Sequence, residues 1–134
     1  MTRSIAVGFD GSPDATRALR VALALARDAG ATTWVLHARG LLEERDASPA
    51  APAVVSETVT ELGIDPERVR WRVEDGDPCS VLLRSVGPPV EAELLVVGRR
   101  GHGRHEGLLL GSTSLQLVEH ARVPVVVVPA PHGE

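Results

Sequence analysis

Residues 4–38 read SIAVGFDGSPDATRALRVALALARDAGATTWVLHA, and they contain one complete folding unit. SIAVGF (4–9) is a short apolar run ended by Asp10-Gly11, the pattern of a buried strand entering a turn. Ser12 is a strong N-cap, and Pro13 sits where a helix has an unused N–H to give up. Ala15, Ala18, Leu19, Ala22, Leu25, Ala26 and Ala29 then fall on one helical face, and Gly30 supplies the stop. TTWVLHA (32–38) is β-branched and aromatic, a second strand. Strand, helix and strand with short joints make a βαβ unit whose crossover is right-handed.

Outward from this unit the alternation continues. Residues 39–52 mix charge with Ala and Pro and read as a loop, and AVVSETVTELG (53–63) as a short helix. VRWRVE (69–74) alternates strictly, with Val69, Trp71 and Val73 on one face and Arg70, Arg72 and Glu74 on the other. One wet face in a sheet otherwise covered on both sides marks an edge strand. GDPCSVLLRSVG (76–87) repeats the cap pattern with Asp77 and Pro78, and ELLVVG (93–98) is a continuous apolar run, hence a central strand. Ser112 or Thr113 is expected to cap a fourth helix reaching about Ala121.

The last strand is VPVVVVP (123–129), which Pro124 places at an edge. Its valines are apolar on both faces, so pairing with a second copy is expected, giving a homodimer through 123–128. The sum is a doubly wound five-stranded parallel α/β sheet, strand order 3-2-1-4-5, with helices on both faces. One domain over 1–134 is expected. In that order the winding reverses between the first and fourth strands, where open α/β sheets take ligands.

Composition narrows the functional classes. The net charge is −4, which argues against a nucleic-acid partner. All fourteen basic residues are arginine, so neither a lysine Schiff base nor a Walker-type phosphate loop is available. No apolar run reaches bilayer length, and the N-terminal one is too short for a signal peptide, so no membrane partner is expected. A single cysteine, Cys79, fits a reducing cytoplasm better than a disulfide framework. Cys79 sits early in a helix, where a dipole lowers a thiol pKa, but helix packing is the favoured role. His37 reads as a structural histidine, and His102 and His105 as a solvated pair rather than metal ligands.

Beside the winding reversal lies GRRGHGRHEGLLLGS (98–112), with five glycines in fifteen positions. Its spacing is Gly98-x2-Gly101-x9-Gly111-Ser112. Glycine after a strand lets backbone approach a ligand, and Gly111-Ser112 opens a helix whose unpaired N–H groups favour an anion. The hydroxyls of Ser112 and Thr113 and the charges of Arg99, Arg100 and Arg104 complete a phosphate cradle without a Walker lysine. Asp10, in the neighbouring turn, is the candidate functional carboxylate.

VVGRRGHGRHEGLLLGSTSLQLVEHARVPVVVVP (96–129) resembles the C-terminal signature of the universal stress protein family. VGFDGSPDATRALRVALALA (7–26), VLHA (35–38) and GDP (76–78) are similar to that family's earlier segments. The resemblance implies an adenine nucleotide alpha hydrolase-like sheet and a site for ATP or AMP. It places Gly8 and Asp10 at the end of the first strand, with Asp10 near ribose, phosphates or a bound Mg²⁺. It sets the Ala38 backbone against the adenine edge, with Val97 and Gly98 flanking the ribose. Gly101, Gly111, Ser112 and Thr113 would hold phosphates. Arg99 and the GRH run at 103–105 depart from the family's usual residues. A dimeric regulatory module in stress response is the expected function, with a slow Mg-dependent ATPase and a nucleotide-independent scaffold as alternatives. At most weak turnover is expected, because nothing clearly orients an attacking water.

Overall fold

A computed structural model describes residues 3–40, 50–99 and 110–129. In chain order the elements are β1 (Ser4–Gly8), α1 (Pro13–Ala29), β2 (Thr32–Arg39) and α2 (Ala53–Glu61). A 3-10 turn (Pro66–Arg68) leads into β3 (Val69–Asp75), followed by α3 (Pro78–Arg84), β4 (Leu94–Gly98), α4 (Ser112–His120) and β5 (Val125–Val128). The sheet order is β3-β2-β1-β4-β5 and every pair is parallel. The doubly wound sheet read from the strand pattern is therefore the observed one.

Two apolar layers cover it. On one face Ile5, Val7, Val35 and Val96 meet Ala18, Leu19, Ala22 and Leu23 of α1 and Val55 and Val59 of α2. On the other, Ala6, Leu36, Leu95 and Val97 meet Val81 and Leu82 of α3 and Leu117 of α4. The buried stripe of α1 runs through Ala15, Ala18, Leu19, Ala22, Leu23 and Ala26. Leu25 is 39% exposed and Ala29 is exposed as well, contrary to the sequence expectation. Leu23 lies one turn beyond Leu19 and takes the inward place that the expectation assigned to Leu25.

The helix ends follow local chemistry. Ser12 caps α1 by accepting from the Ala15 N–H at 3.1 Å, and Gly30 closes it in the left-handed conformation at φ 68°. Asp77 caps α3 by accepting from the Ser80 N–H at 3.0 Å. For α4 the expected cap is corrected: Gly111 is the N-cap, Ser112 and Thr113 already belong to the helix, and among the described residues no side chain caps it. At the sheet's edges, β3 carries Arg70, Arg72 and Glu74, whereas β5 is four valines, three of them partly exposed. No described helix is long and apolar enough to cross a membrane.

Candidate functional site

The carboxyl ends of β1 and β4 diverge where the winding reverses, and each feeds a helix. After β1, the Phe9 N–H donates to the Leu36 carbonyl at 2.9 Å, holding the exit against β2. The Asp10 carboxylate accepts from the Ser12 N–H at 2.9 Å across Gly11. Gly11 has φ 83°, a value that an L side chain rarely adopts. This turn delivers Ser12 and the first turn of α1 to the crevice.

After β4 the backbone of Arg99 makes three ties. Its N–H donates to Val128 of β5 at 3.0 Å, and its carbonyl accepts from the Gly111 N–H at 2.7 Å. The Ser114 hydroxyl donates to the carbonyls of Gly98 at 2.7 Å and Arg99 at 3.2 Å. The N-terminus of α4 is thereby pinned beside the end of β4. Gly98 is needed for a packing reason: a Cβ there would lie 2.7 Å from the Asp14 backbone. The first turn of α1 rests directly on β4.

Between these elements lies a cavity of about 320 Å³, within the range of small-molecule sites. One wall is hydrocarbon, from Leu36 and Ala38 of β2, Val97 of β4, and Pro78, Val81 and Leu82 of α3. The other is polar: Asp10, Ser12, Gly111, Ser112, Thr113 and Ser114. Helix α4 begins there with no side-chain cap from the described residues, and its first-turn N–H groups and dipole are directed to the cavity.

Of the residues singled out from sequence, Gly8, Asp10, Ala38 and Val97 line the cavity, as do Gly98, Gly111, Ser112 and Thr113. Arg99 is not part of the lining; its backbone serves as the tie between β4, β5 and α4. Arg100, Gly101, His102, Arg104 and His105 lie outside the described residues. Sequence reasoning did not single out Ser12, Ser114 or the α3 side chains as lining. Ser12 carried a signal only as a cap, and the cavity-facing side of α3 depends on where the helix docks.

Other singled-out groups have structural roles. Nδ1 of His37 is 3.2 Å from the Phe9 carbonyl, and its ring stacks on Trp71 at 5.9 Å. Cys79 is buried, and burial followed by the neighbouring Asp77 charge pushes its thiol up, opposite to an activated nucleophile. Asp77 is held below the usual carboxylate value by the Ser80 hydroxyl and then by the Ser80 N–H. Among the described residues no group of three or more His, Cys, Asp or Glu could hold a metal ion. A cation at Asp10 would depend on ligand oxygens for the rest of its shell.

The architecture is a doubly wound parallel sheet with a cavity at its topological reversal. The profile of the universal stress protein family matches residues 1–129. A universal stress protein of Thermus aquaticus is 31% identical over 140 residues, covering 96% of this chain and 99% of its own. One of Mycolicibacterium smegmatis is 31% identical over 136 residues, covering 92% of this chain and 45% of its own. The chain thus spans about half the length of several curated relatives. A solved universal stress protein in complex with cAMP has 25% identity and a TM-score of 0.74, over 94% of this chain and 96% of that one. The chain belongs to the universal stress protein family.

Proposed function

We propose that this chain is a single-domain adenine-nucleotide-binding module, acting in the cytoplasm as a dimeric regulator in the stress response. The observation that carries the reading is the N-terminus of α4, which no described side chain caps, opening on a cavity whose other wall is apolar. A phosphate suits the first wall, because the first-turn N–H groups of α4 and the Ser112 and Thr113 hydroxyls can donate to it. A purine ring suits the second, where Leu36, Ala38 and Leu82 present hydrocarbon. The cAMP complex of a related protein supports the same ligand class.

ATP and AMP are the ligands proposed, with Mg²⁺ bridging Asp10 and the phosphates. The roles of Gly8, Asp10, Ala38, Val97, Gly98, Gly111, Ser112 and Thr113 as nucleotide contacts belong to this proposal, and so does that of Arg100 and Gly101. The homodimer would form through β5, whose partly exposed valines and edge position among the described strands favour strand pairing. Chromatography of the nucleotide released on denaturation, followed by calorimetric titration of the stripped protein with Mg·ATP, tests the reading. Stoichiometric adenine nucleotide or saturable binding is expected. No released nucleotide and no heat at millimolar Mg·ATP would overturn it.

A further inference from the structure

The hydrocarbon side chains of the apolar wall do not by themselves distinguish one purine from another, yet β3 places a charged pair beside them. In the parallel register Leu36 stands next to Arg72, and Ala38 next to Glu74. Register partners share a face of the sheet, so both charged side chains rise on the face that carries the cavity. They stand one strand spacing, about 4.8 Å, outside its lining. β3 is the edge strand, and no described strand lies beyond them.

The pair is not a closed unit. Arg72 Nε lies 3.3 Å from Glu74 Oε2, close enough for an ion pair. Even so, Nε is shielded from solvent and has no hydrogen-bond partner among the described residues. The Glu74 side chain is only 22% exposed. A carboxylate with that little water needs donors, and Arg72 supplies charge without good hydrogen-bond geometry. A base packed on Ala38 would bring its edge toward this carboxylate.

We propose that Glu74, oriented by Arg72, selects the base by accepting a hydrogen bond from the exocyclic 6-amino group of an adenine ring packed on Ala38. This rests on the nucleotide reading above. Glu74 is then a specificity-determining residue and Arg72 a positioning residue. An ionised carboxylate only accepts, so it favours a purine that carries an amino group over one that lacks it.

The test compares two ligands, AMP and purine riboside 5′-monophosphate, which lacks only the 6-amino group. Wild-type protein should bind AMP about tenfold or more tightly, the discrimination of one hydrogen bond to a charged group. In Glu74→Ala the two affinities should converge, with purine riboside 5′-monophosphate bound as in wild type, which also shows that the variant is folded. Glu74→Gln keeps an acceptor oxygen and should recover part of the preference. An undiminished AMP preference in Glu74→Ala overturns the assignment, as does equal binding of both ligands by wild type. If wild type binds neither ligand, the nucleotide reading itself falls.

Discussion

One wall of the cavity is hydrocarbon from β2, β4 and α3; the other is the Asp10 carboxylate with hydroxyls and backbone N–H groups at the N-termini of α1 and α4. The first is part of the core. Leu36, Val81 and Leu82 are each at most 1% exposed and support both the fold and the site. The second consists of helix N-termini positioned by hydrogen bonds at Asp10, Ser12, Arg99 and Ser114. Damage to the first wall should therefore register mainly as stability, and damage to the second mainly as binding.

The largest effect is expected at Leu82. Leu82→Ala should destabilise by about 2–5 kcal/mol in denaturant unfolding, because it empties a core position. In the molecules that remain folded it should weaken adenosine and AMP alike. Glycine substitutions then set the walls against each other. Gly98→Ala forces a Cβ to 2.7 Å from the Asp14 backbone, which cannot give cheaply, so about 1–3 kcal/mol should be lost together with nucleotide binding. Gly8→Ala meets Leu82 Cδ1 at 3.0 Å, the end of a flexible side chain, and should cost less than Gly98→Ala by the same assay. Equal costs would break the distinction.

Smaller effects follow. Ser112→Ala combined with Thr113→Ala should weaken AMP about tenfold while leaving adenosine and the unfolding midpoint nearly unchanged. At α3, Asp77→Ala removes the cap and should cost about 1 kcal/mol at neutral pH. Asp77 has its folded-state pKa depressed, chiefly by the Ser80 hydroxyl, so its contribution is present above the ordinary carboxylate value. That contribution is lost as pH falls through the depressed value. The stability gap between wild type and Asp77→Ala should thus shrink below about pH 4. A gap that widens in acid would contradict the assignment.

These two walls also differed in how far they could be read from the chain. Ser12-Pro13, Asp77-Pro78 and the apolar runs at 4–9, 32–38 and 93–98 are local signals, and each became the cap or strand expected of it. The strand order followed from residues 69–74 alternating and Pro124 interrupting, both edge signatures. The polar wall was legible through Gly98, Gly111, Ser112 and Asp10, which cluster near strand ends. The apolar wall was not, apart from Ala38 and Val97. Val81 and Leu82 look like any core pair until α3 is docked on the sheet. Leu25 shows the same limit: Leu23 and Leu25 both sit near the apolar arc of α1, and tertiary packing chose between them. Gly98 was singled out for closeness to a ligand and lines the cavity, but its tight packing on the Asp14 backbone was not legible in the sequence.

The most direct test of the account compares adenosine with AMP, by calorimetry, on wild-type protein and on Gly111→Val. The account predicts saturable binding of both to wild type, with AMP favoured about tenfold or more through the α4 N-terminus. Gly111→Val should erase that advantage and leave adenosine binding on the apolar wall. Equal affinities in wild type, or an AMP advantage that survives Gly111→Val, would contradict it.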